Sequence, residues 1–325
     1  MIRCTAAILV LLTAPVAAAQ TLIIQHDNDE WGGKETDWEY SQGTRVTWLS
    51  PKLAETNLAQ AISLMLPGLD FDATLAAGLG GGSAYYEPRS LTVTTPIADQ
   101  RPYAGYLYGS ALVNAEADNH LTSWRLDAGV IGPAAQGEET TQLFHDAFNG
   151  LSQNGWDNQI TNRFAANVSL ERRWRNLIPL ADGVTADISP ALGLELGTVA
   201  TAANAGLMLR LGLGLDSDFG PPRLGAFSGA SASRSDATSI YIFATANGAY
   251  VPYDVFLDEP GGRAGDPIRA GQAVKRDFFR SQTSFGIVGA YGRIRATLAV
   301  TDASATYDQQ LDAERFSELS LAFRF

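Results

Sequence analysis

The chain has 325 residues, a net charge of −12 at pH 7 and a single cysteine, Cys4. The acidic balance offers no basic footprint and so excludes nucleic acid as a partner. No stretch reaches the ~18 apolar residues of a membrane-spanning helix. A mean hydropathy of −0.04 suits a globular enzyme, and equally a barrel whose strands alternate apolar and polar residues.

The N-terminus reads as a signal peptide over residues 1–19: Arg3, an apolar run from Ala6 to Leu12, and a small-residue cleavage site at Ala17-Ala18-Ala19. Cys4 leaves with it. The mature chain, a single domain over 20–325, then has no thiol for disulfides, thiolate metal sites or cysteine nucleophiles. The other end decides between enzyme and barrel. Leu319, Leu321, Phe323 and Phe325 share one face of a final alternating strand, with Ser320, Ala322 and Arg324 on the other. A soluble protein seldom leaves such an edge uncovered. The fold predicted is all-β: a transmembrane antiparallel barrel of the bacterial outer membrane.

Twelve strands are predicted in chain order. The first four are Thr21 to Asp29, Tyr40 to Leu49, Thr74 to Tyr86 and Tyr103 to Glu116; the next four are Thr122 to Ile131, Arg163 to Trp174, Ala186 to Val199 and Gly206 to Asp216. Ser239 to Ala249, Asp277 to Tyr291, Ile294 to Thr301 and Phe316 to Phe325 complete the count. An even number places both termini in the periplasm. Pro51 to Gly68 is then a periplasmic helical segment, Asp118-Asn119-His120 a tight turn, and the Gly/Ser/Ala-rich stretch Ser217 to Asp236 a flexible periplasmic connection. Tyr103, Tyr106 and Tyr108 suit an interfacial belt. Arg45, Glu171 and Arg173 are expected to fill the narrow lumen.

Parity gathers the polar clusters at the extracellular rim: Asp27-Asn28-Asp29, Tyr40-Ser41, the Asp99–Arg101 loop, and the loop from Gly132 through a short helix to Gly155. Only His145, of the three histidines, lies in a long loop crowded with groups that could orient it. A bulge or strand end is expected where Asp29 and Ser41 would face each other inside the rim, with Asn28 pointing away. Carboxylate and amide oxygens can hold a hard divalent cation. A neutral imidazole can take a proton from water or a hydroxyl near working pH.

These motifs resemble the lipid A 3′-O-deacylase family of outer-membrane proteins. The resemblance rests on Asn28-Asp29, Thr36-Asp37, Tyr40-Ser41 with Gly43, and Arg101-Pro102-Tyr103-Ala104-Gly105-Tyr106-Leu107-Tyr108. It continues through Gly132-Pro133, Gln142, His145 and Gly155-Trp156-Asp157-Asn158-Gln159, and more loosely through Tyr250-Val251 and Phe256-Leu257-Asp258. It implies a calcium-dependent ester hydrolase that removes an acyloxyacyl chain from lipid A of lipopolysaccharide. His145, Ser41, Asn28 and Asp29 would be catalytic, with His145 as general base on water. Asn28 and Asp29 would hold Ca²⁺. Arg101, Tyr103, Gln142 and Asp157 would support the site. Ser41 stands where the family more often has threonine, and Gln100 where it usually has an acidic residue. The protein is expected to be a monomer assembled by the barrel-assembly machinery. The alternatives are a phospholipase-type acyl hydrolase and a non-catalytic pore or structural barrel.

Overall fold

The structure is a computed structural model that describes residues 20–29, 39–50, 53, 62, 64–70, 73–97, 99–148, 153–223, 238–258, 274–310 and 313–325. The signal peptide and the Thr36-Asp37 motif lie outside these residues.

The twelve strands are β1 (Thr21–Asn28), β2 (Glu39–Leu49), β3 (Thr74–Glu87), β4 (Ala104–Glu116), β5 (His120–Ile131), β6 (Arg163–Trp174), β7 (Val184–Gly197), β8 (Ala200–Leu213), β9 (Ser239–Asp254), β10 (Phe279–Tyr291), β11 (Ile294–Ala303) and β12 (Glu314–Arg324). Each pairs antiparallel with its neighbour in sequence. β1 pairs with β12, from Thr21↔Arg324 to Asn28↔Ser317, and closes the ring. Gln20 and Phe325 exchange backbone hydrogen bonds at what we call the terminal end. A short strand, Leu177–Pro179, widens the turn between β6 and β7 there.

Alternation makes the wall two-faced. On β9, Tyr241 and Phe243 are buried inside while Ile240 and Ile242 are exposed outside. Leu192, Leu209, Phe285 and Leu298 extend the exposed apolar surface. A water-soluble monomer would not carry so large a patch; a bilayer accepts it. No described helix is long and apolar enough to cross a membrane; the apolar outer wall is made by the strands. The aromatic groups at the two edges of the apolar surface are Tyr250 with Phe278 and Phe279, and the exposed Tyr291. They replace the belt expected of Tyr103, Tyr106 and Tyr108. On β4 exposed Leu107 faces out, so Tyr106 and Tyr108 point in and stack at 4.7 Å.

The lumen is packed. Arg45, Glu171 and Arg173 are buried there as expected. The larger surprise is the connection after β8. Instead of hanging free, its first residues turn at Gly214 (φ +68°) and enter the barrel. Asp218, fully buried, pairs with Arg210 at 2.5 Å and with Arg295, and accepts from the Tyr241 hydroxyl at 3.0 Å. Arg210 also meets Asp187 at 2.6 Å. Phe219 lies under the Arg175 guanidinium, 4.2 Å from ring centre to Cζ. Arg223 reaches Glu318 at 2.6 Å, Ser284 at 2.6 Å and Thr245 at 2.9 Å, while Arg45 donates to its carbonyl. The cause is electrostatic: arginines buried in a closed lumen need paired anions. Residues 224–237 lie outside the described set. So does most of Pro51 to Gly68, of which Ile62, Leu64 and Met65 are helical.

The loop end is roofed from inside. Helix α2 (Val255–Asp258) stacks Phe256 on Tyr86 at 4.2 Å and packs with Ala104, Tyr106 and Ile131.

Candidate active site under helix α1

The loop after β5 forms a single 3-10 turn (Pro133–Ala135) and then helix α1 (Gly137–Phe148). The Gly132-Pro133 step has a physical cause. Gly132 adopts φ +99°, and a Cβ there would sit 2.6 Å from the Ile160 carbonyl oxygen. Proline then presets the first helical position. Glu138 and Glu139 oppose the positive end of the α1 dipole. Thr141 and His145, one turn apart, are buried, while Glu138, Gln142, Leu143 and Asp146 are exposed.

The buried face of α1 rests on the outer wall of the barrel. On β1, Ile24 is exposed to the outside, so His26 and Asn28 share that face; the His26 ring stacks on Phe144 of α1 at 5.5 Å and 12°. On β3, Leu79 faces out, and so do Tyr85 and Glu87; the Tyr85 hydroxyl donates to Thr140 of α1 at 3.3 Å. On β4, Gly105 shares the face of Leu107, and a Cβ on it would press on Ala135 at 3.1 Å. The helix thus roofs β1 to β4 from the membrane side.

A bulge supplies the hydroxyl. The β2–β3 register slips between Tyr40 and Gln42, making Ser41 the extra residue. Tyr40 turns inward toward Asp27. Ser41 joins Gln42 on the outer face and donates to the Glu87 carboxylate at 2.7 Å, with both side chains buried. Asp29, also buried, donates its backbone N–H to the Ser41 carbonyl at 3.2 Å. The bulge was expected, but the position of Ser41 is corrected: its hydroxyl lies on the outer wall beneath α1, not inside the rim.

Asn28, Ser41 and His145 are therefore brought to the interface between α1 and the outer wall, with Asp29, next in sequence to Asn28, also buried. The remaining expected residues are not brought there. Arg101 stands at the roof, 4.4 Å over the Tyr86 ring, with Glu39 at 3.5 Å. Burial opposes its charge, but Glu39 and Glu314 outweigh burial and hold its pKa above the usual value. Tyr307 donates to the same Glu39 at 2.5 Å, and burial followed by that carboxylate pushes its phenol pKa up. Tyr103 is a brace, donating to the Leu91 carbonyl at 3.1 Å and packing on Trp156 at 4.8 Å. Gln142 and Asp157 are exposed. Sequence reasoning missed Glu87, hidden in an unremarked Tyr-Tyr-Glu-Pro run, and Gln153. The Gln153 amide nitrogen lies 2.7 Å from His145 Nε2.

The resemblance implies a bound cation, and its donor chemistry can be tested. Asn28, Ser41 and Glu87 on the outer face, with Asp29 adjoining Asn28 in sequence, have side-chain oxygens of the kind a hard cation such as Ca²⁺ takes as ligands. Among the described residues no group of three or more His, Cys, Asp or Glu forms a metal cage. The fit is one of donor type, with substrate or water oxygens needed to complete it.

A closed twelve-stranded barrel with an apolar outer wall, and a polar patch roofed on that wall, defines an integral outer-membrane protein. The family description "Outer membrane protein LpxR" matches residues 4–325, and the chain belongs to that family, as its motifs suggested. LpxR from Salmonella typhimurium has a similar structure, with a TM-score of 0.76 and 15% identity over 93% of this chain and 99% of that one. The β domain of the Bordetella autotransporter BrkA is less similar, with a TM-score of 0.44 and 9% identity over 94% and 98% of the two chains. The translocator domain of NalP from Neisseria meningitidis also gives 0.44, with 12% identity over 98% and 92%. A comparison with curated protein sequences finds no match.

Proposed function

We propose that this protein is a lipid A deacylase that hydrolyses an acyl ester, the 3′-acyloxyacyl chain, in the outer leaflet. The observation that carries the reading is the location of the patch: catalytic-type side chains buried under α1 on the membrane-facing wall. A lipid can approach that wall sideways. Exposed Leu143 on α1, with Leu107 and Phe164 on the wall, offers it apolar contact. The loop end would face outward, because both termini of such barrels lie in the periplasm.

In the proposed reaction His145 takes a proton from a water, and the water oxygen attacks the ester carbonyl carbon. The ester C–O bond breaks, and the proton passes to the departing sugar oxygen. A free acid and a lipid A hydroxyl result. Ser41, whose own proton is committed to Glu87, offers lone pairs to position the water. Asn28 and Asp29 would hold Ca²⁺, which when bound polarises the carbonyl.

The Ser41–Glu87 bond also supports a second reading, in which Ser41 attacks the carbonyl carbon, Glu87 takes its proton and passes it to the sugar oxygen as the ester C–O bond breaks, and water then hydrolyses the acyl-serine to the free acid. A mass-shifted Ser41 adduct, trapped with an ester analogue, would select it. The purified protein, given lipid A or phospholipid in mixed micelles with calcium or a chelator, tests the function. Release of a 3-acyloxyacyl acid only in calcium supports the reading. Lysophospholipid as the sole product would move the activity to phospholipids, and no product from either would overturn it.

A further inference from the structure

We propose that Gln153 is the positioning residue that fixes the tautomer of His145, making Nε2 the only atom of that ring able to take a proton. Its catalytic consequence rests on the hydrolase reading, whereas its geometry does not.

The argument starts at Trp156. An indole N–H can only donate, and Nε1 lies 3.2 Å from Gln153 Oε1. The Thr141 hydroxyl lies 2.5 Å from the same oxygen. That hydroxyl has a single proton and also lies 3.0 Å from the Gly137 carbonyl, so the indole N–H is the donor that fixes which end of the amide is the carbonyl. Its other end, Nε2, is then aimed at His145 Nε2, 2.7 Å away. An amide nitrogen also only donates, so His145 Nε2 must accept and the ring proton must sit on Nδ1. A flip of the amide would set its NH₂ against the indole N–H.

The anchor itself is held. Trp156 is 1% exposed, packs on Tyr103, and fits beneath Gly137, where a Cβ would meet its ring at 2.5 Å. The chain of contacts runs from Tyr103 to Trp156, from there to Gln153, and so to His145. It gives the Gly155-Trp156 motif a chemical purpose: the tryptophan orients the residue that orients the base. In the reaction an incoming water takes the Nε2 lone pair from the amide N–H.

Free histidine side chains favour the proton on Nε2, so the proposal reverses the ordinary preference and can be read directly. With ¹⁵N-labelled histidine in detergent micelles, His26, His120 and His145 are the complete set, assigned by replacing each in turn. The expected result is a proton on His145 Nδ1 in the unaltered protein. Gln153→Leu should return it to Nε2, and Trp156→Phe should give a mixture. Gln153→Leu should lower kcat by about tenfold or more at unchanged KM, less than the ~10²–10⁴-fold that losing a general base costs. Gln153→Glu, whose carboxylate would accept from Nε2–H, should be similarly impaired and should shift the acid limb of its pH–rate profile. A proton on Nε2 in the unaltered protein, or the same tautomer in Gln153→Leu, overturns the proposal. An unaltered protein that cleaves no lipid overturns the hydrolase reading and leaves the tautomer to be decided by the spectrum.

Discussion

The two faces of β1 show how one strand serves two purposes. Inside, Gln25 accepts from Arg45 at 3.0 Å, and Asp27 lies beside Tyr40 in the layer that Arg223 and Glu318 occupy. Outside, one residue along each time, His26 and Asn28 lie under α1. The inner face carries charges that neutralise one another and hold shape. The outer face carries the groups on which the proposed site would draw. Buried charge alone is therefore a poor guide to function here: the ionic network Asp187–Arg210–Asp218–Arg295 ties the connection after β8 to the inner wall, on the other face from the proposed site.

The contrast can be broken from either side. The largest expected effect is on the outer face: His145→Ala should cut ester hydrolysis by ~10²–10⁴-fold while leaving the folded, heat-modifiable band on gels unchanged. Asp29→Asn should lower activity next most, in a way that added calcium partly restores, read by titrating the metal in the micelle assay. Inside, Arg210→Leu strands Asp187 and Asp218 without their guanidinium. It should cost ~3–5 kcal/mol of stability, measured by unfolding in urea with detergent. The activity per folded molecule should fall far less than for His145→Ala. The smallest effects belong to exposed positions: Gln142→Ala and Asp157→Ala should each change activity less than about threefold, and stability by no more than the ~0.5 kcal/mol usual for surface substitutions. A large loss at Gln142 would mean that α1 rolls over to present another face when lipid binds.

Much of this was legible in the chain. Period-two alternation located all twelve strands, and Arg163 to Trp174 to the residue, because a wall between lipid and a packed lumen imposes that period on every strand. Asn28, Asp29, Ser41 and His145 were legible as candidates through their motifs. The faces near the loop end were not. A bulge breaks the parity by which a face is assigned, so Ser41 was placed on the wrong side. The lumen-filling role of this connection was hidden by composition: Ser217 to Asp236 reads as a linker, while among its described residues Ser217, Asp218, Phe219 and Arg223 carry groups that bind it into the lumen. Gln153 gave no signal, since its importance depends on Trp156 fixing the orientation of its amide.

The central claim is that the patch under α1, on the outer wall, is where an acyl ester is cut. The most direct measurement is mass spectrometry of lipid A from a Gram-negative host carrying the unaltered chain or His145→Ala at matched membrane levels. The account expects lipid A lighter by one acyloxyacyl unit with the unaltered chain only. The same loss with both would contradict the role of His145, and unchanged lipid A with both, in calcium, would contradict the claim itself.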